Sequence, residues 1–157
     1  MKSFKEFLKE SETYRGSHEA PQPGDDAPMH NVSGIYPDDF HGPDGFRQYA
    51  DQGNDYDHHS YRQVTRVKND PEAHVWVHRA IPTKVYKEAL KKKVPLHHMI
   101  KNGDWVTTSK DYAKEHGVEN LKGDYKIASM RAKAKHLYTD GNSIHEWGYH
   151  NPDRETQ

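Results

Sequence analysis

The sequence predicts an α+β sandwich in which short strands alternate with small helices, on three observations. Residues 74–81, 105–108 and 144–149 are rich in β-branched and aromatic residues and are bounded by Pro, Gly or Asp, as strands are. The stretches between them, 83–94 and 109–115, carry short helical patterns with their own starts and stops. Only 32% of the 157 residues are hydrophobic against 30% charged, and apolar residues thin out before Val64. A modest core lying downstream of Val64 is therefore expected.

Composition narrows the function classes. Aromatic residues make up 11% of the chain, including ten Tyr and three Trp, which argues against general disorder because disordered chains lack such burial capacity. The formal net charge of −1 carries no overall basic balance of the kind that neutralises phosphates. One basic run, 84–93 with Lys87, Lys91, Lys92 and Lys93, reads as a solvated face. No stretch reaches the ~18 apolar residues that cross a bilayer, so no membrane partner is expected. The N-terminus lacks the apolar core of a secretory signal. With no Cys, disulfides, thiolate chemistry and cysteine-ligated zinc are excluded. Thirteen His are present. The spaced pair His74 and His78 would lie about 13 Å apart along a strand, too far to share one ion, so no metal is expected.

The chain divides into four stretches. In residues 1–10, Phe4, Phe7 and Leu8 fall at i, i+3 and i+4 among charges, which predicts a short amphipathic helix that forms only when docked. Residues 11–34 are rich in Pro, Gly, Ser and acids and read as a linker. Residues 35–150 form the domain and 151–157 a tail. At 35–60, clustered Asp, Gly and Pro with Tyr36, Phe40, Phe46 and Tyr49 predict irregular structure or short helices anchored on a core by those rings. A helix over 60–67 is stopped by Asn69-Asp70-Pro71, and the strand over 74–81 ends at Pro82. The helix over 83–94 takes Thr83 as its N-cap, with Val85, Leu90 and Val94 as core contacts. Ser109 caps the next helix and Gly117 ends it. Alternation of Tyr125, Ile127 and Ser129 favours a strand over 125–134, although its Ala-rich end would tolerate helix. The last strand, 144–149, follows the turn Thr139-Asp140-Gly141-Asn142.

Three residues sit in unusual settings. Arg79 lies inside an apolar strand, where a guanidinium needs an anionic partner. Ser109 closes the hydroxyl run Thr107-Thr108-Ser109, and Glu146 is framed by Ile144-His145 and Trp147-Gly148-Tyr149. A carboxylate so framed is a candidate for catalysis. Taken singly, each has an ordinary alternative: a strand Arg paired with a surface acid, a helix-capping Ser, a solvated Glu.

Taken together, Arg on the first core strand, a strand ending in Thr/Ser-x-Ser and Glu on a late strand resemble the Arg-Ser-Glu pattern of ADP-ribosyltransferases. The wider segments Arg79-Ala80-Ile81-Pro82, Gly103-Asp104-Trp105-Val106-Thr107-Thr108-Ser109, Tyr112-Ala113, His116-Gly117 and Ser143-Ile144-His145-Glu146-Trp147-Gly148-Tyr149 resemble ADP-ribosyltransferase-like proteins of phage genomes. That likeness extends back through Tyr36-Pro37-Asp38-Asp39-Phe40. It implies an ADP-ribosyltransferase-like split β-sandwich with a flexible N-terminal segment, acting as a mono-ADP-ribosyltransferase with NAD as substrate. By the same likeness, Glu146 would hold a ribose hydroxyl and stabilise the developing positive charge. Arg79 would bind the pyrophosphate or adjacent ribose, Ser109 would fix the Glu146 rotamer, and Thr107 and Thr108 would line the NAD site. Tyr112 would face nicotinamide, with Trp105 and Trp147 as the other candidates. Where family members carry Glu or Gln two residues before the catalytic Glu, this chain has Ile144, so the usual guide to the acceptor is missing. Either Asn142, Ser143 or His145 would substitute, or the acceptor would not be a protein side chain.

Residues 1–10 resemble the capsid-targeting peptides of internal head proteins of large tailed bacteriophages, which end at a Leu-x-Glu site cut by the prohead protease. Leu8-Lys9-Glu10 matches that site. The resemblance implies prohead scaffold and protease as partners, a place in the virion interior, and later entry into the host bacterial cytoplasm. The target there would be a host protein or nucleic acid. The alternative is a non-enzymatic internal protein that binds and inhibits a host defence enzyme.

Overall fold

The computed structural model describes residues 20–154. The expected targeting peptide at 1–10 and the first part of the expected linker lie outside the described residues, as does the end of the tail. Among the described residues the order is β1 (Ala27–Pro28), α1 (Gly45–Tyr49), α2 (Asp57–Arg66), β2 (His74–Pro82), α3 (Thr83–Lys91), β3 (Trp105–Val106), α4 (Lys110–Asn120), β4 (Tyr125–Lys133), β5 (Leu137–Thr139) and β6 (Trp147–Tyr149). Four strands form one antiparallel sheet in the order β1-β5-β6-β3, and β2 pairs antiparallel with β4 in a second. The architecture is thus α+β with short strands and small helices.

The long β2–β4 ribbon shows period-two burial. Val75, Val77, Arg79 and Ile81 are buried facing the core, while His74, Trp76 and His78 point the other way and are exposed or half-buried. Their register partners Val75↔Ala132 and Val77↔Met130 share the core face. At His78 the ribbon meets the larger sheet: the His78 N–H donates to the Thr107 carbonyl at 2.7 Å and the Thr107 N–H to the His78 carbonyl at 2.9 Å.

Helix α4 is capped by Ser109, whose Oγ accepts from the Tyr112 N–H at 3.1 Å. It does not stop at Gly117. It runs to Asn120, and the chain reverses at Lys122 and Gly123, both at positive φ. Gly117 is needed for close approach instead, because a Cβ there would lie 2.4 Å from the Tyr125 ring. In α3, Val85 and Ala89 are buried and Leu90 is half exposed, so Leu90 is not the core contact expected. Thr83 is the first helical residue and Pro82, which cannot cap by side chain, takes the N-cap position.

The core reaches further upstream than Val64. Met29, Val32, Tyr36 and Phe40 join Val75, Val77, Leu137 and Trp147 in one cluster. The rings of Tyr36, Phe40, Phe46, Tyr49 and Tyr61 pack on one another over a 3-10 turn (Asp38–His41) and α1, which is the anchoring expected of 35–60. The linker reading of 11–34 fails over its described part. Ala27 and Pro28 pair with Thr139 and Tyr138, and Met29 is fully buried. Polar composition hid this because a two-residue strand and two or three apolar anchors leave almost no periodic signal.

The same segment presses on β6 at Gly148, where a Cβ would stand 1.8 Å from the Pro21 carbonyl oxygen. Backbone cannot yield as a side-chain tip does. Gly148→Ala should therefore destabilise the domain by about 1–3 kcal/mol, the usual cost of overpacking, in urea unfolding. An unchanged midpoint would mean that residues 20–28 do not lie on β6.

Candidate functional site

Three neighbouring strands bring together the segments singled out in the sequence. The β2–β3 bridge sets His78 opposite Thr107, and the β3–β6 register sets Val106 opposite Trp147. Arg79 is therefore one residue from the bridge on one side, and Glu146 one residue before Trp147 on the other. Segments separated by up to 67 positions in sequence (79 to 146) become adjacent through two strand pairings.

Glu146 is half-buried, and its Oε1 accepts from the Tyr112 hydroxyl at 2.5 Å. Burial, reinforced by this donation to a carboxylate, pushes the Tyr112 phenol well above its ordinary range, so it remains a donor at any working pH. Tyr112 arrives there because Ser109 caps α4 three residues earlier. Ser109 thus orients the carboxylate indirectly: its own Oγ is bonded to the Tyr112 N–H, and the direct Ser109–Glu146 bond implied by the family resemblance is not formed. The phenol already holds Glu146, so Tyr112 serves the carboxylate whatever its ring faces.

His145 anchors the same loop from below. Its ring is buried, with Nδ1 2.7 Å from Ser60 Oγ and Nε2 2.8 Å from Asp57 Oδ1, both on α2. Asp57 also accepts from the N–H groups of Gln52 at 2.7 Å and Asn54 at 2.9 Å. An ionised Asp57 only accepts, so Nε2 carries the proton and Nδ1 accepts from the Ser60 hydroxyl. Tyr112 stacks on the imidazole at 5.2 Å and Tyr56 meets it edge-on at 4.8 Å. Ser, His and Asp in hydrogen-bonded sequence suggest a nucleophilic triad, but Ser60 is wholly buried and cannot reach a substrate. The chain is a clamp. It also explains why β6 begins at Trp147 and not Ile144: His145 leaves the strand to reach α2, and the Trp147 indole N–H bonds the Ile144 carbonyl at 2.8 Å. A role for His145 in setting the acceptor is excluded by this burial. Asp57 and Ser60 were missed in the sequence, and the only available signal was their i, i+3 spacing on one helix face.

Arg79 is buried on the core face of β2. One guanidinium nitrogen lies 3.2 Å from Asp104 Oδ1 and donates to the Trp105 carbonyl at 3.3 Å. The anionic partner required by its strand setting is therefore Asp104, from the Gly103-Asp104 turn. Arg79 Nε is buried without a partner, as is Thr108 Oγ1. Thr107 Oγ1 accepts from the Ser109 N–H at 3.1 Å, and the Thr108 carbonyl accepts from His59 Nε2 at 2.8 Å. A concavity of about 320 Å³ lined by Asp55, Tyr56, Asp111 and Glu115 opens at the junction of α2 and α4. Its acidic wall pushes the Tyr56 hydroxyl, through burial first and then its bond to Glu115, up to about 12.

Two outcomes follow. Burial holds the His145 imidazole below its ordinary pKa, against the opposing pull of Asp57, and burial followed by Lys110 and His59 lowers His78 to about 4. Both are neutral in the fold but take up protons near pH 6.5 when unfolded, so the unfolded state binds more protons in acid. Stability should be intact above pH 6.5 and fall progressively toward pH 4; denaturation curves showing a constant or rising midpoint over that range would contradict the clamp. Arg79→Met should cost about 3–5 kcal/mol by depriving buried Asp104 of its guanidinium, and Arg79→Met with Asp104→Leu should regain much of it. Equal stability of the single and double variants would remove the ion pair from the account.

Compared with family models, curated proteins and solved structures, the chain shows no significant match to any of them.

Proposed function

We propose that the chain is a mono-ADP-ribosyltransferase of split β-sandwich type that transfers ADP-ribose from NAD to a host target, with Glu146 at the reacting ribose. The observation that carries this reading is the register that brings together Arg79 on β2, Thr107-Thr108-Ser109 just past β3 and Glu146 just before β6, with Glu146 held by Tyr112. The fit of NAD rests on two buried polar atoms left without partners, Arg79 Nε and Thr108 Oγ1, on residues the resemblance assigns to the dinucleotide.

The reaction breaks the bond between ribose C1′ and the nicotinamide nitrogen. The bonding electrons leave with nicotinamide, which departs neutral, so no acid is needed at the leaving group, unlike hydrolysis of an ordinary glycoside. Positive charge develops on the ribose, and one oriented carboxylate opposite it lowers the barrier electrostatically. The acceptor atom then bonds C1′ and gives up its proton, for which Glu146 is the nearby base. Tyr112 and the His145 clamp keep that carboxylate in one rotamer before substrate arrives. Arg79 offers its Nε, while Nη1 is engaged by Asp104 and the Trp105 carbonyl.

Packaging in a phage head and entry into the host cytoplasm belong to the proposal on the likeness of residues 1–10 alone. A second reading, a non-enzymatic inhibitor of a host defence enzyme, draws on the occupation of Arg79 by Asp104.

The purified chain, incubated with labelled NAD and bacterial lysate, should release nicotinamide and label a lysate component. Glu146→Gln should lower the rate by about 10²-fold or more. Full activity in that variant would overturn the assignment of Glu146. No NAD binding by calorimetry would favour the second reading.

A further inference from the structure

The outward face of the β2–β4 ribbon opens on a groove that Thr108 also lines, but its exposed indole and cations are not used in the chemistry above. Residues directly opposite on an antiparallel pair share a face, so Trp76 stands beside Arg131 and His74 beside Lys133. Trp76 is 57% exposed and no ring or cation stacks on it among the described residues. Farther along the same face, Ala80 is covered where α4 packs on the ribbon. The uncovered half forms the floor of a groove of about 220 Å³ whose rim includes Arg66 and His59 from α2 and Lys110 from the first turn of α4. Arg66 is braced there by Gln63 Oε1 at 2.9 Å and the His74 carbonyl at 3.0 Å. None of the lining residues is acidic. A net charge of −1 therefore conceals a separation, with acids gathered at the Asp55–Asp111–Glu115 concavity and cations around Trp76.

We propose that this face binds single-stranded nucleic acid, with Trp76 stacking an unpaired base and Arg66, Lys110 and Arg131 contacting phosphates. The exposed indole presents a flat π face of the kind on which unpaired bases stack. The cations on both sides of it select a polyanion. The groove is too small and open to enclose a whole small ligand, which pockets do for most of the ligand's surface. A strand laid across it, one base on the indole and the backbone running between cations, meets both requirements. Duplex nucleic acid offers no such base, and an acidic peptide offers no ring. The inference does not rest on the transferase reading, although Thr108 borders both the groove and the proposed dinucleotide site.

Anisotropy of a fluorescein-labelled oligothymidylate titrated with the full chain tests it. Binding should weaken with salt on a log–log slope of about −2, as expected for roughly three neutralised phosphates on a single strand. Trp76→Ala should weaken it about tenfold, the loss of one base stack, while Trp76→Phe keeps most of it. Arg66→Ala with Lys110→Ala should flatten the salt slope. These side chains are at the surface, so circular dichroism should be unchanged in all variants. The proposal is overturned by absence of binding at low salt, by wild-type binding in Trp76→Ala, by equal binding of duplex or polyglutamate, or by displacement of the oligonucleotide by NAD, which would give the groove to the dinucleotide. Nicotinamide release is read separately, so either reading can fail without the other.

Discussion

Two backbone hydrogen bonds exchanged between His78 and Thr107 join the two sheets, and the position of Arg79 relative to the β3–β6 pair depends on them. Without that bridge, β2 with Arg79 would be a ribbon packed on the core with no defined register to β3. With it, β3 becomes the common neighbour of β2 and β6. The strand is only two residues long, Trp105–Val106, so little ladder holds it. The Arg79 guanidinium supplies what the ladder lacks: it ties the interior of β2 to the Asp104 carboxylate and the Trp105 carbonyl. A buried pair of this sort is weak evidence of net stability but strong evidence of registration, because a one-residue slip would turn the charge away from its partner.

The loop around Glu146 is governed by a second polar arrangement, from α2. His145 fills both its ring nitrogens with Ser60 and Asp57, and Asp57 is saturated by Gln52 and Asn54. Burial by itself would raise the Asp57 carboxyl; the N–H donations and the His145 imidazole outweigh it and leave it below the ordinary range. A fully satisfied network in a small apolar core rigidifies where it sits. Here it sits one residue from the carboxylate that Tyr112 holds through its hydroxyl while its ring stacks on the imidazole. The phenol and the clamp thus hold Glu146 in place together, which a solvated loop Glu would lack.

Strongly periodic or strongly bounded segments were legible in the sequence. The strand over 74–81, the Ser109 cap and the aromatic anchoring at 35–60 are local patterns whose signals survive without knowledge of the fold. What was not legible is tertiary. The strand predicted over 144–149 is shortened because His145 has better partners on a helix 85 positions away. Gly117 looks like a helix stop but is a contact surface for Tyr125. The linker reading failed where Met29 and a two-residue strand are held by β5 and the core, not by any pattern of their own. At the site, the need of Arg79 for an anion was readable, but its partner Asp104 was not, since Gly103-Asp104 reads as a turn wherever it occurs.

The strand order also fixes where the sheets end. Joined at the bridge, the strands run from β1 to β4, leaving those two as outer edges among the described residues. An exposed edge invites pairing with another chain, and proteins blunt it by shortness, proline or charge. At one end β1 is two residues long and includes Pro28, which has no N–H to offer. At the other, β4 is nine residues long and bears Lys126, Arg131 and Lys133. Lys133 is neutralised by Glu72, so the charge on the long edge comes from Lys126 and from Arg131 beside Trp76, which thus has a second effect: two copies of that edge repel each other and do not pair into a longer sheet.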